Sequence, residues 1–181
     1  MSLPHFQPPH AGQAAETPHA DIVVVYEGYA SGIRGKGFCD QLVGRLGVRA
    51  EIEGSLWRSD LLAVPGIRQD AARAALNADY VLLSLRGDGE LSEAFEGWLR
   101  EWMPRAQGRD ITLVVLFDPD TAQRQTMEDI RTHLRNAAHA AGLHFFACTA
   151  GPAGLASVGR GGNGDSETVV TMDTPLRWGL E

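Results

Sequence analysis

The sequence predicts an α/β fold: a three-layer sandwich in which one five-stranded parallel sheet lies between helices. Two observations carry that expectation. Segments 22–26 (IVVVY), 79–85 (DYVLLSL) and 110–117 (DITLVVLF) are nearly unbroken apolar runs. They lack the polar alternation of a half-exposed strand and suit parallel strands buried on both faces. Between them fall segments with apolar residues at helical spacing. Strands that alternate with helices imply right-handed crossovers in a parallel sheet. At 181 residues, 44% hydrophobic and 22% charged, the chain fits one domain with a full core and short tails.

Residues 1–20 have neither an apolar core nor a basic start, so they read as a flexible leader rather than a signal peptide. The domain proper is expected over 21–149, where the first buried strand runs into a glycine-rich turn. A helix follows over 32–46, with Phe38, Cys39, Leu42, Val43 and Leu46 on one side and Gly47 as its stop. Residues 49–57 (RAEIEGSLW) alternate in part and read as an edge strand. A break at Pro65-Gly66 precedes an alanine-rich helix, QDAARAALN, and the buried strand at 79–85 comes next. After the loop RGDGELS, the positions of Leu91, Phe95, Trp98, Leu99, Trp102 and Met103 make an amphipathic stripe that Pro104 ends. The strand at 110–117 stops at Asp118-Pro119-Asp120, a turn sequence. The longest helix is expected over 121–141, with Gly142 as its stop, and LHFFACT supplies the fifth strand. From residue 150 a glycine-rich segment leads to a short apolar end, TVVTMDTPLRWGLE.

Five strands with four helices in a unit of this size fit the flavodoxin-like strand order 2-1-3-4-5. The function classes that composition excludes are few but clear. No apolar run approaches the roughly 20 residues that span a bilayer, so no membrane partner is expected. A net charge of −7 argues against a nucleic-acid surface, which needs clustered Lys and Arg. Cys39 and Cys148 lie far apart with no Cys-x-x-Cys spacing, which fits reduced thiols and a cytoplasmic location.

In the 2-1-3-4-5 order the carboxyl ends of the first and third strands flank the switch point, where ligands of open α/β sheets bind. The residues brought there are Tyr26, Glu27, Ser31, Gly32, Arg34 and Lys36 from the first turn, and Ser84, Arg86, Asp88 and Glu90 from the third strand and its loop. Asp118 and Asp120 follow the fourth strand, and Cys148 and Thr149 end the fifth. A helix N-terminus beside Arg34 and Lys36 favours an anion, so a phosphate or carboxylate ligand is expected on Tyr26, Ser31, Gly32, Arg34, Lys36, Ser84 and Arg86. Arg34 and Lys36 are both expected to be exposed. The plain alternative is a solvated first helical turn whose glycines only permit the bend.

No complete catalytic motif stands there. ASGIRGKG fails the Walker A pattern at two positions, Ala30 for the first glycine and Gly37 for the hydroxyl. Gly28, Gly32, Gly35 and Gly37 do not have the G-x-G-x-x-G spacing. A flavodoxin's hydroxyl-rich phosphate loop is matched only at Ser31-Gly32, and no aromatic clamp follows the third and fourth strands, although Trp57 is placed to stack on a flavin. FMN is therefore a cofactor reading by fold analogy alone. A phosphorylation receiver needs an acidic pair, a phosphoacceptor Asp and a Lys, where this chain has Tyr26-Glu27, Ser84 and no lysine near Cys148. Ser84, His144 and Asp118 lack the G-x-S-x-G elbow of a hydrolase. Asp129 and His133, four apart, have metal-ligand spacing but equally the spacing of a surface helix pair.

The stretches VVVYEGYASGIRGKGFCDQL, SLWRSDLLAVP and ADYVLLSLRGDGEL, with the terminal RWGLE, carry a resemblance over nearly the full length. The chain resembles a group of short uncharacterised bacterial proteins with a single flavodoxin-like or receiver-like domain. Gly32, Arg34, Lys36 and Trp178-Gly179 are the positions most similar to that group, and it implies the fold without an activity. Two functions follow as expectations. The first is a non-enzymatic domain that binds a small anionic ligand or a protein partner. The second is an enzyme acting on a nucleotide or another phosphorylated small molecule, with Glu27 and Asp88 as acid–base candidates. Because the helical periodicity ends with the fifth strand, a fifth helix is missing from the pattern. The apolar face left over is expected to be covered by the C-terminal tail or by a second copy in a homodimer.

Overall fold

The computed structural model of the chain describes residues 19–46, 49–51, 56–120 and 123–149. The expected leader up to residue 18 and the glycine-rich segment and tail from residue 150 lie outside these residues. The strands are β1 (His19–Tyr26), β2 (Arg49–Glu51), β3 (Leu56–Arg58), β4 (Tyr80–Leu85), β5 (Thr112–Phe117) and β6 (His144–Thr149). The helices are α1 (Tyr29–Leu46), α2 (Pro65–Asn77), α3 (Glu93–Trp102) and α4 (Arg124–Ala140), with 3-10 turns at Ser59–Ala63 and Met103–Arg105. Among these residues no helix is long and apolar enough to cross a membrane.

All described strand pairs are parallel, and the order is β2-β1-β4-β5-β6 with β3 also on β1. Among the described residues the expected second strand is represented by two short pieces on the same edge of β1, and 52–55 lie outside those residues. His19–Asp21 pair with β2 and Val24–Tyr26 with β3. Counting β2 and β3 as one strand gives 2-1-3-4-5, the flavodoxin-like order. β4 and β5 are buried along their whole length, which is why their sequences are apolar at consecutive positions rather than alternate ones.

Alternate residues of each strand feed two cores. On one face Val23, Val25, Val81, Leu83, Leu113, Val115 and Phe117 meet the apolar sides of α2, α3 and α4. On the other, Ile22, Val24, Leu82, Val114 and Leu116 meet Phe38, Cys39 and Leu42 of α1. α3 buries Phe95, Trp98, Leu99 and Trp102 as its spacing requires, with Trp98 between Phe95 and Trp102 at centroid distances of 5.7 and 5.5 Å. Ser92 caps it by accepting the Phe95 N–H at 3.3 Å. Pro65-Gly66 opens α2 instead of breaking it, because proline at a first helical position gives up an N–H that has no intrahelical partner.

α1 starts three residues before the position the apolar spacing indicates, and it presses closely on the sheet. A methyl group added to Gly35 would stand 3.0 Å from Val24 Cγ1 and 3.4 Å from Ser84 Cβ; on Gly32 it would stand 3.1 Å from the Tyr26 ring. These glycines are contact points between helix and strands, not merely a permissive bend. Alanine at Gly35 gains about 0.5–1 kcal/mol of helix propensity but crowds a buried β-branched side chain, at about 1–3 kcal/mol. At Gly97 of α3 the nearest atom is 3.6 Å away, an ordinary contact. Thermal melts of Gly35→Ala and Gly97→Ala are therefore expected to move in opposite directions, the first down and the second up.

Candidate functional site

The carboxyl ends of β1 and β4 form the switch point, and loops from three strands meet there. Gly28 precedes α1 and has no side chain with which to cap it. Ser31 compensates in part, because its hydroxyl accepts the Gly28 N–H at 2.8 Å and donates to the Gly28 carbonyl at 2.9 Å. It is 1% exposed. The expected ligand hydroxyl is thus bonded within its own turn.

Arg34 overturns the expectation of an exposed cation. It is 2% exposed, and its guanidinium reaches across β4 to the end of β5. Nη1 donates to Asp118 Oδ2 at 2.7 Å and Nη2 donates to the Leu85 carbonyl at 3.0 Å. The same carbonyl accepts the Asp118 N–H at 3.1 Å, and Asp118 Oδ1 accepts the Asp120 N–H at 3.0 Å. The arginine can sink because the glycines let α1 lie close to β4, and it stays because a buried charge needs a partner. Beneath it Ser84 Oγ is buried with no hydrogen-bond partner among the described residues. Lys36, by contrast, is 62% exposed and pairs with Asp40 one turn along α1 at 2.7 Å. It faces its own helix surface rather than the strand ends, and Arg34 uses Nη1 and Nη2 on Asp118 and Leu85 while its Nε is buried without a hydrogen-bond partner among the described residues.

The two carboxylates weighed as acid and base are tied to one residue. Glu27 Oε2 accepts the backbone N–H of Arg86 at 2.6 Å, and Arg86 Nε stands 4.0 Å from Glu27 and 3.4 Å from Asp88. A further bond, from the Gln123 N–H to the Gly87 carbonyl at 2.9 Å, fastens the β5 loop to the β4 loop. Gly87 has φ of 73°, the left-handed region glycine tolerates. The lip of the crevice is therefore laced together by main-chain bonds and paired charges. Tyr26 is half-buried, with its ring against Gly32.

Other expected constellations do not assemble. His144 begins β6 at the opposite end of the sheet from Ser84 and pairs with Asp110 at 3.3 Å, so no Ser-His-Asp set forms. Asp129 accepts from Gln125 at 3.0 Å, and His133 pairs with Glu96 at 3.0 Å. Among the described residues no group of three or more His, Cys, Asp or Glu is placed to hold a metal. Cys39 and Cys148 are free thiols whose burial pushes them up to about 12 and about 11. Neither is an activated nucleophile.

Among the described residues no aromatic clamp for a flavin stands at these strand ends. Trp57 pairs with Val25 and packs into the core on the α2 and α3 side, and residues 86–92 and 118–123 contain no aromatic. What sequence reasoning missed is apolar: Tyr29 is 84% exposed on the first turn of α1, and Ile33 is exposed one turn on. Leu61 and Val64, which follow β3, are exposed as well. Parallel pairing puts the exits of β1 and β3 at the same end of the sheet. The signal for Tyr29 was its four-residue spacing from Ile33 on the polar side of α1, hidden because the helix was expected to begin at Gly32.

No family model matches the sequence. No curated protein matches it. Among solved structures the chain is similar to a flavodoxin of Streptococcus pneumonia TIGR4, at 15% identity and a TM-score of 0.49, over 72% of this chain and 84% of that one. This likeness extends to the fold alone.

Arg34→Ala removes the guanidinium that stands 2.7 Å from the Asp118 carboxylate, which is only 14% exposed. A loss of about 3 kcal/mol is expected, or roughly 6–12 °C in melting temperature for a domain of this size. Lys36→Ala, which removes an exposed pair, is expected to stay within about 0.5 kcal/mol. Denaturant melts of the two variants check this contrast.

Proposed function

We propose that this chain is a non-enzymatic binding domain, and that it binds a protein partner with the carboxyl end of its sheet around Tyr29. One observation carries the reading: at the switch point Arg34, Arg86, Glu27, Asp88 and Asp118 are engaged in charge pairs, while apolar side chains around them are exposed. Arg34 serves Asp118, and Arg86 serves Glu27 and Asp88. A general acid or base has to be within reach of a substrate proton and at liberty to exchange it, and these groups are engaged in joining loops. Tyr29 offers a large contact area for the loss of only two side-chain torsions, the property that makes tyrosine common at protein interfaces.

The small-ligand reading, including FMN, nucleotides and other phosphorylated molecules, rests on the unpaired N–H groups that any helix start offers and on a fold that hosts many functions. An enzyme acting on such a molecule would need Glu27 or Asp88 released from Arg86. Thermal-shift measurements with FMN, nucleoside mono-, di- and triphosphates and inorganic phosphate separate the readings. A ligand at about 100 times its Kd stabilises by about 2.7 kcal/mol, a rise of roughly 5–10 °C. The protein-binding reading expects no such rise with any of them. It also expects Tyr29→Ala to leave the melting temperature unchanged. A clear rise with one compound would replace the proposal by a small-molecule site.

A further inference from the structure

The helices that share one face of the sheet are not evenly packed. α2 and α3 lie on one another, whereas α4 meets the 3-10 turn Met103–Arg105 more than α3 itself. What remains between α3 and α4 is a cleft of about 280 Å³, open to solvent. Leu99, Met103 and Pro104 line one side of it, and Ala137, Ala140 and Ala141 line the other. Glu96, Arg100 and His133 complete the lining. Glu96 stands four residues before Arg100 on α3, the spacing of a helical ion pair. Its carboxylate instead goes across to α4, where Oε1 lies 3.0 Å from His133 Nε2. Among the described residues Arg100 is thereby left without a carboxylate partner, beside an apolar cleft.

We propose that this cleft binds a small amphipathic carboxylate, a fatty acid of medium chain length. Its hydrocarbon lies against Leu99, Met103 and Ala137, and its carboxylate sits on the Arg100 guanidinium. Charge complementarity argues for that occupant. A guanidinium presents a planar fork of donors that matches a carboxylate. One unpaired cation balances a singly charged head, whereas a phosphate monoester brings a charge of about −1.5 to −2. The apolar walls call for hydrocarbon, because a polar group set against them would give up its water without a replacement. The volume lies just under the roughly 300–1,000 Å³ of pockets for drug-sized ligands, so the guest is small. The cleft is separate from the surface around Tyr29, since α1 packs on the opposite face of the sheet. Its failure would leave the protein-binding reading untouched.

The test is a titration of the ¹⁵N-labelled full-length chain, followed by amide shifts, with sodium octanoate, sodium hexanoate and neutral octanamide. The expected result is saturable shifts in residues 96–104 and 133–141, with a Kd of about 1 mM for octanoate. Hexanoate, shorter by two methylenes, is expected to bind roughly tenfold more weakly. Arg100→Gln changes an exposed position. It is expected to weaken octanoate at least about fivefold and to leave octanamide unchanged. The absence of saturable shifts with octanoate overturns the proposal. Shifts scattered over the whole surface, the mark of detergent-like adsorption, overturn it too. So does equal octanoate affinity in Arg100→Gln and the wild type, because the cleft would then take apolar molecules whatever their charge. Shifts of the same amides on raising protein concentration alone would assign the cleft to a second copy of the chain and likewise overturn it. If Arg100→Gln disturbs amides far from the cleft, the wild type decides: weaker binding of octanamide than of octanoate supports the proposal, and equal binding overturns it.

Discussion

The close approach of α1 to β1 and β4 is the constraint on which the rest of the carboxyl end depends. With Gly35 against Val24 and Ser84, the helix lies low enough for Arg34 to pass over β4 and reach Asp118. That pair fixes the start of the β5 loop, and the Leu85 carbonyl between them accepts from both partners. A larger residue at Gly35 would lift the helix and lengthen a 2.7 Å contact. Geometry at one glycine is therefore coupled to charge compensation two strands away.

The same arrangement decides what the crevice can do. An open switch point with free cations would draw a phosphate to the first turn of α1. Here Arg34 is used inward on Asp118, and Arg86 joins Glu27 to Asp88. At that end an aromatic ring and aliphatic side chains face solvent beside the exposed Arg86. In the proposed association the charge pairs give that surface a rigid base, and a rigid base lowers the ordering cost of binding.

Much of the fold was legible in the sequence because burial on both faces leaves nearly unbroken apolar runs in β4 and β5, and the stripe of α3 matches the residues it buries. The second strand was less legible: a half-exposed edge such as β3 carries weak alternation, and the described pairing on β1 is in two short pieces. The start of α1 was misplaced because Tyr29 and Ile33 lie outside the apolar stripe that marks the helix. The candidate site was legible in its location and not in its chemistry. Arg34 looks solvent-exposed from its neighbours, since the carboxylate that buries it lies 84 residues further on. A period of 3.6 residues says which face a residue takes but not how far a long side chain reaches. Trp57 shows the same limit: one position of register, opposite Val25, turns its indole into the core and away from the crevice.

A double-mutant cycle of Arg34→Ala and Asp118→Ala, measured by denaturant unfolding, tests the pair most directly. Residues that share a buried interaction show non-additivity of about 0.5–3 kcal/mol. The account predicts a coupling energy in the upper part of that range, about 2–3 kcal/mol, with the double variant little worse than either single one. Additivity within about 0.5 kcal/mol would contradict it, because Arg34 and Asp118 would then contribute independently and the carboxyl end would not depend on their pairing.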